Sequence, residues 1–149
     1  MTWIRYLHVL AVVLWFGSAA ADIILELVLR KTASREGQLT LIHLHAIIDQ
    51  ILETPGFIVT LATGVFLFLS YKNPSGALYL KIACGIAAAS ANLFCVKKVL
   101  DRNRWAKSTS KEALPLELER GKVLTRDIYL SMLGVPFAFI TLYIGVVYF

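Results

Sequence analysis

Long stretches of apolar residues, separated by short polar segments, form the dominant pattern along the chain. Four stretches are predominantly apolar, and they cover residues 3–29, 53–71, 77–96 and 128–149. A helix needs about 20 mostly apolar residues to cross the hydrocarbon core of a bilayer. Each stretch meets that length, so the pattern predicts an all-α protein with four membrane-spanning helices.

Amphipathic segments precede the second and fourth stretches, so these helices are predicted to begin before the membrane. Pro55 and Pro136 then fall inside helices, where the ring and the missing amide proton cause kinks. The predicted helices cover residues 3–29, 38–71, 77–98 and 115–149, with kinks near the two prolines. Because the connecting loops are short, we predict one transmembrane domain over residues 1–149, built as a polytopic four-helix bundle.

The second and fourth stretches share a proline, a Thr-Leu pair, a Gly-Val pair and a phenylalanine at equal spacing. The two copies are Pro55, Thr60, Leu61, Gly64, Val65 and Phe68, and Pro136, Thr141, Leu142, Gly145, Val146 and Phe149. A Tyr-Leu pair also precedes both His8 in the first stretch and Lys81 in the third. We therefore predict two similar helix pairs related by a pseudo-twofold axis along the membrane normal. His8 and Lys81 then occupy equivalent positions.

Positive charge is concentrated in two of the three loops. The net charge is +5, and the basic residues cluster in segments 30–35 and 97–126, with only Lys72 in the second loop. Basic residues beside membrane helices remain in the cytoplasm. The pattern predicts a multi-pass protein of the bacterial inner membrane, with both termini on the periplasmic side. Membrane lipid rather than nucleic acid is the partner that this charge pattern indicates.

Small residues are concentrated in the first and third helices. They occupy positions 17–21 and most of positions 85–91. Small side chains allow membrane helices to approach closely. We therefore expect the first and third helices to make the tightest contact at the centre of the bundle.

His8 and Lys81 lie at comparable depth in the outer half of the predicted bundle. Ionisable side chains inside a membrane usually face the bundle interior, and both an imidazole and a neutral amine can bind iron. Trp15 follows His8 by two helical turns on the same face, where its indole could pack against a porphyrin. In the alternative interpretation, His8 hydrogen-bonds within the bundle and the amine of Lys81 reaches the outer headgroups.

A second polar set lies toward the inner side of the predicted bundle. Asp22 and Glu26 are four residues apart in the first helix, and His45, Asp49 and Glu53 follow the same spacing in the second. A histidine with several carboxylates could hold a divalent metal ion. Helix rise, however, places Glu26 among the headgroups and His45 beyond the inner boundary. This depth favours a solvated acidic face paired with basic residues, in which Asp22 is the residue expected to be buried and to handle protons.

The segment Leu-His-Val-Leu-Ala-Val-Val-Leu-Trp-Phe-Gly at residues 7–17 resembles the first helix of small membrane proteins related to HemJ and CopD. His8 and Trp15 match a histidine and a tryptophan of that helix, and Pro55, Lys81 and Pro136 match residues of the later helices. HemJ proteins are haem-associated protoporphyrinogen oxidases, and CopD proteins are linked to copper resistance. The resemblance implies that His8 and Lys81 bind haem and that Lys81 has a catalytic part.

The chain departs from the HemJ pattern at two places. HemJ has an arginine deep in the first helix, where this chain has the acidic segment 22–26, and an Asn-Glu pair where this chain has Leu133 and Gly134. These departures weaken the expectation of oxidase activity more than the expectation of haem binding. They are typical of a separate branch of the same superfamily.

These patterns predict a haem b protein in which His8 is the axial ligand, Lys81 the second ligand or a catalytic porphyrin contact, and Trp15 packs on the macrocycle. Its function would be electron transfer or porphyrinogen oxidation, with a quinone or a porphyrin as partner. One alternative is a non-enzymatic scaffold subunit of a homo-oligomer or larger membrane complex. Another is a metal- or proton-handling protein that uses Asp22, His45 and Glu53.

Overall fold

The computed structural model describes residues 2–109, 114 and 117–148, and helices contain most of them. The helices are α1 (Thr2–Lys31), α2 (Arg35–Ile48), α3 (Thr54–Leu69), α4 (Gly76–Ser108), α5 (Glu119–Ser131) and α6 (Val135–Tyr148). A π-helical turn, Asp49–Glu53, joins α2 to α3, and a 3-10 turn, Met132–Gly134, joins α5 to α6. The described residues contain no strand, so the predicted all-α fold is confirmed.

Four continuous helical segments in the described part of the chain are long and apolar enough to cross a membrane. They are Thr2–Lys31, Arg35–Leu69, Gly76–Ser108 and Glu119–Val147. Large apolar side chains such as Val13 and Phe139 are exposed along their outer surfaces. A protein in water rarely exposes so much apolar surface, whereas hydrocarbon solvates it. The predicted multi-pass helical bundle is confirmed, and the direction in which the chain crosses the membrane stays a prediction.

Serine residues set the beginning of two of these helices. Ser34 and Ser75 have extended backbones, and their hydroxyls accept hydrogen bonds from the amides of Gly37 and Leu78. Such N-caps satisfy amide groups that have no partner within the first turn of a helix. Because Ser34 caps it, α2 begins at Arg35, before the predicted residue 38.

The helices pack mainly within the two halves of the chain. α1 lies along α3, α4 lies along α5 and α6, and α2 joins the halves by packing against both α1 and α4. The expected tight contact between the first and third helices is wrong, because α1 and α4 do not pack closely against each other. Their small residues leave a gap instead, and Ala19, Ala20, Ala88 and Ala91 line the resulting cavity.

α4 continues past the predicted end at residue 98 to Ser108. Its extension keeps an apolar face, on which Val99 and Ala106 are fully buried against the neighbouring helices. Most charged residues of this segment point outward, but Arg102 is fully buried. The high charge of the segment predicted a loop, whereas its apolar periodicity explains the helix. The predicted start of the fourth helix at residue 115 lies outside the described residues, and α5 begins at Glu119.

An irregular helical turn precedes each of the two prolines in the membrane helices. The π-helical turn comes just before Pro55, and the 3-10 turn comes just before Pro136. Proline has no amide proton to donate, and its ring crowds the carbonyl of the preceding turn. The preceding turns therefore adopt other hydrogen-bond patterns, and they do so at corresponding places in the two halves of the chain.

Candidate metal centre

Six ionisable side chains meet inside the bundle, and each is at most 6% exposed. They are Asp22 and Glu26 of α1, His45 of α2, Asp49 and Glu53 of the π-helical turn, and Arg102 of α4. We call them the polar cluster. The solvated acidic face expected from helix depth is wrong, because α2, α5 and the extension of α4 cover these residues. Packing within the protein, rather than distance from the bilayer centre, removes them from water.

Glu26 and Arg102 form an ion pair that joins α1 to α4. Arg102 donates from Nη1 to Oε2 of Glu26 at 3.1 Å, and from Nη2 to Oε1. The hydroxyl of Thr125 lies 3.4 Å from Nη1 and accepts a further hydrogen bond. A two-pronged contact between a guanidinium and a carboxylate is strong and directional. The pair therefore fixes the position of the Glu26 carboxylate at the base of the polar cluster.

His45 directs its two ring nitrogens at different groups. Nδ1 lies 2.9 Å from Oε1 of Glu26 and 3.2 Å from Nη2 of Arg102. Because Nδ1 lies nearer to the oxygen of Glu26, which only accepts, than to the nitrogen of Arg102, which only donates, we assign the proton to Nδ1, which donates to Glu26. This assignment leaves a free lone pair on Nε2. A carboxylate that accepts from the far nitrogen is the usual support of a metal-bound imidazole.

The free Nε2 of His45 faces two carboxylates. Oδ1 of Asp22 and Oδ1 of Asp49 each lie 3.7 Å from Nε2, and one ligand atom from each residue lies within 4.8 Å of the other two. A separation of 3.7 Å is too long for a hydrogen bond. Two ligands placed about 2.1 Å from a tetrahedral zinc ion are separated by roughly 3.4 Å. The three residues therefore surround a point with the spacing of metal ligands.

Several atoms of this group accept no hydrogen bond from an N–H or O–H group of the described residues. They are both carboxylate oxygens of Asp22, Oδ2 of Asp49 and Nε2 of His45, and only the neighbouring carboxyl groups of Asp49 and Glu53 come within hydrogen-bonding reach of Asp22. Buried polar groups are normally paired, and each unpaired one costs about 1–3 kcal/mol. Three neighbouring side chains with unsatisfied atoms indicate a site for a ligand that is not part of the protein.

The charge of the polar cluster indicates that this ligand is positive. Glu53 lies beside Asp22 and adds a carboxylate to those of Asp22 and Asp49. Arg102 is the one buried cationic side chain within the described residues, and it already pairs with Glu26. A buried ion without a partner costs several kcal/mol. A divalent cation, or protons bound to the carboxylates, would balance the remaining negative charge.

The π-helical turn positions the two acidic residues that follow α2. The amide of Thr54 donates to the carbonyl of Asp49, which widens the helix by one residue at this point. Pro55 explains the irregularity, because it cannot donate to the turn before it. Widened turns of this kind are frequent at functional sites. Here the turn keeps Asp49 beside His45 and directs Glu53 toward α1.

A cavity of about 150 Å³ reaches the polar cluster between α1, α4 and the junction of α5 with α6. Asp22, His45 and Glu53 lie at its polar end, Asn92 and Ser131 add an amide and a hydroxyl, and most of its remaining wall is apolar. The cavity is smaller than the roughly 300 Å³ at which small-molecule sites begin, but it holds a few water molecules. The cavity is large enough for a metal ion and the water molecules that stay bound to the ion.

Residues 2–148 match the family described as a predicted integral membrane protein, DUF2269. The match extends over almost the whole chain. This protein belongs to the DUF2269 family. The family description agrees with the four membrane-spanning segments and assigns no activity. No curated protein and no solved structure matches the sequence.

In this DUF2269 protein, His8 and Lys81 occupy equivalent places in the two helix pairs. A Cβ added to Gly64 would lie 3.3 Å from Cε1 of His8, and one added to Gly145 would lie 3.0 Å from Nζ of Lys81. Nδ1 of His8 also lies 2.8 Å from the hydroxyl of Thr63. The structure therefore places each of these two predicted site residues beside a glycine of its paired helix.

Trp15, the third residue of the predicted haem site, has other neighbours. Its indole Nε1 donates to Oδ1 of Asn92 at 2.9 Å, and its ring packs edge-on against Phe57 with a centroid distance of 5.3 Å. Trp15 lines the cavity that reaches the polar cluster, whereas His8 and Lys81 are not among the lining residues. The three residues therefore do not share that cavity.

Sequence reasoning missed Arg102 and Asn92 of α4. Arg102 was counted among the basic residues of a loop, although it lies three residues after Val99 and four before Ala106. Both of these apolar residues are buried, so the helical period places Arg102 on the inner face once α4 is continued. Asn92 carries no comparable signal, because the small residues around it are compatible with either face of the helix.

Proposed function

We propose that this DUF2269 protein binds a divalent transition-metal ion within its helical bundle, with His45, Asp22 and Asp49 as ligands. The observation that carries the proposal is the free Nε2 of His45, which faces two carboxylates with unsatisfied oxygens. Imidazole suits zinc, iron and nickel, and carboxylates suit harder ions such as manganese. A site with one nitrogen and two or more oxygens favours zinc, iron(II) or manganese over copper(I), which prefers sulfur.

The other residues around the site have supporting parts in this proposal. Glu26 holds the proton-bearing Nδ1 of His45, and Arg102 holds Glu26 in place. Glu53 and Asn92 line the cavity and provide groups that bind the waters of an ion moving to or from the ligands. We therefore assign the protein to metal handling, in which the cavity lets the site exchange its ion.

Metal titration of the purified protein tests the proposal. After a chelator has removed bound ions, we expect zinc, iron(II) or manganese to bind at about one ion per chain, measured by calorimetry and elemental mass spectrometry. Asp22→Asn, Asp49→Asn and His45→Gln should each weaken binding by at least about tenfold, because even residues that only support a ligand contribute 10–100-fold. Uptake of the ion into proteoliposomes then distinguishes transport from a fixed site.

His43→Gln is the matched control, because His43 lies on the same helix but is exposed. Its affinity for the ion should equal that of the unaltered protein. Failure of every ion to bind, or equal affinities in His45→Gln and His43→Gln, would contradict the proposal. In that case protons on the carboxylates would provide the charge balance of the polar cluster.

Haem b binding by His8 and Lys81 stays a prediction, as do membership of the HemJ and CopD superfamily and any oxidoreductase activity. The equivalent positions of His8 and Lys81, each beside a glycine of its paired helix, support it, and the small size of the cavity beside Trp15 does not. Haem would supply one-electron chemistry, with a quinone or porphyrin as predicted partner. A Soret band in protein from haem-supplied cells, lost in His8→Ala and retained in His45→Gln, would establish it. A colourless preparation would contradict it.

The proposal that the protein is a scaffold subunit of a homo-oligomer or larger complex depends on other measurements. The exposed apolar surface of the four helices is sufficient for contact with lipid, and it is compatible with partner helices. Stable co-purification with other membrane proteins, without bound metal, would favour the scaffold over metal handling.

A further inference from the structure

A second pocket, of about 400 Å³ and open to the surface, lies between the last turn of α1 and the side of α5, and its three basic residues are exposed. Its lining consists of three basic side chains and two side chains with hydroxyls. These residues are Arg30, Lys122, Thr125, Arg126 and Tyr129. None of the described residues that line it is acidic, which distinguishes it from the polar cluster on the other side of Thr125.

Arg30 stacks on the ring of Tyr129 at one side of this pocket. The guanidinium carbon of Arg30 lies 3.8 Å from the centroid of the Tyr129 ring. Stacking of this kind holds a guanidinium in place while its N–H groups remain available. The hydroxyl of Tyr129 is buried, and the guanidinium of Arg30 lies within its reach. The pocket therefore contains a guanidinium that an aromatic side chain holds in place.

The positive charge of the pocket is not neutralised by nearby acids. Among the described residues, no carboxylate forms an ion pair with Arg30 or Lys122. Arg126 reaches Asp127 only at 3.7 Å, and Asp127 already accepts a hydrogen bond from Lys98 at 2.6 Å. Three cationic groups around one open space therefore attract an anion of matching size.

We propose that this pocket binds a phosphate group, either of an anionic lipid or of a soluble phosphate compound. Guanidinium groups donate pairs of parallel hydrogen bonds to phosphate oxygens, and lysine adds a mobile charge. The hydroxyl of Thr125 can donate to a remaining oxygen. The pocket lies at the end of the bundle that the loop charges predict to be cytoplasmic, where basic pockets between helices attract the headgroups of anionic lipids.

Binding of lipids and phosphate to the purified full chain tests the proposal. In native mass spectrometry from a neutral detergent, phosphatidylglycerol should bind in preference to phosphatidylcholine. Arg30→Gln/Lys122→Gln should reduce this preference about tenfold, since it removes two charge-assisted contacts. The control Lys97→Gln/Lys107→Gln removes the same charge at exposed positions outside the pocket, and it should retain the preference.

A parallel calorimetric titration with inorganic phosphate identifies the source of the phosphate. Binding of phosphatidylglycerol without binding of inorganic phosphate supports a lipid headgroup site. Binding of inorganic phosphate that is lost in Arg30→Gln/Lys122→Gln supports a site for a soluble compound. Equal loss of phosphatidylglycerol binding in the two double variants, without phosphate binding, would overturn the proposal. Lys122→Gln alone changes an exposed residue, so it provides the same comparison if the double variant does not fold.

Discussion

The two ionisable sites of this bundle differ in what holds their side chains in place. His8 and Lys81 are half-buried, and each lies beside a glycine of its paired helix. The side chains of the polar cluster are almost fully buried, and Arg102 and Glu26 tie two halves of the chain together. His8 and Lys81 occupy equivalent positions of the internal repeat, whereas the acidic residues of the polar cluster have no acidic counterpart in the other half of the chain.

Equivalent positions in the two halves show where that symmetry ends. The acidic residues of the first half correspond to apolar or small residues of the second. The pairs are Asp22 and Cys95, Glu26 and Val99, Asp49 and Leu130, and Glu53 and Gly134. A repeated helix pair thus provides the frame, and one half alone supplies the acids and the histidine. The other half contributes a single guanidinium, and small residues of both halves line the cavity.

The largest loss of stability is expected from Arg102→Met, which changes the polar cluster and leaves His8 and Lys81 unaltered. The substitution leaves the buried carboxylate of Glu26 without its guanidinium, and breaking a buried pair from one side costs about 3–5 kcal/mol. We expect a clear fall in the midpoint of thermal unfolding of the purified protein in detergent. Lys98→Met is the control, because it removes the partly exposed partner of Asp127 and should lower the unfolding midpoint much less.

A double variant sharpens this prediction. Glu26→Leu/Arg102→Met replaces both partners by apolar residues, so it should recover part of the stability that Arg102→Met loses, although Nδ1 of His45 then lacks its acceptor. Recovery would show that the unpaired charge causes the loss. If Arg102→Met is as stable as Lys98→Met, the ion pair does not join α1 to α4.

The apolar pattern predicts the four spans, and the repeat predicts that His8 and Lys81 are equivalent, because both follow from spacing along single helices. The polar cluster could not be predicted in the same way. Its burial depends on α4 continuing to Ser108, and a charged segment alone gives no indication of that. The cavity was also missed, because small residues such as Ala88 are equally compatible with a close helix contact and with a gap.

A smaller effect is expected at Gly134, where the 3-10 turn between α5 and α6 approaches α4. A Cβ at this position would overlap the side chain of Ala91 on α4. Overpacking of this kind costs about 1–3 kcal/mol, so Gly134→Ala should lower the thermal unfolding midpoint by less than Arg102→Met. Gly17→Ala is the control, because a Cβ there meets no atom within 4 Å.

The double variant Gly134→Ala/Ala91→Gly removes the overlap while keeping the added methyl group. It should recover most of the stability lost in Gly134→Ala. An unchanged loss would show that Gly134 is required for the 3-10 turn rather than for its contact with α4.

The smallest effect is expected from Thr63→Val beside His8. The hydroxyl of Thr63 donates to the carbonyl of Val59 at 2.6 Å, so the proton between Thr63 and His8 belongs to Nδ1. Valine keeps the shape but loses that acceptor, and a net hydrogen bond contributes about 0.5–1.5 kcal/mol. A double-mutant cycle with His8→Leu, measured by thermal unfolding, should give a coupling of this size. A coupling as large as that between Glu26 and Arg102 would show that His8 belongs to an equally buried site, and it would remove the difference between the two ionisable sites.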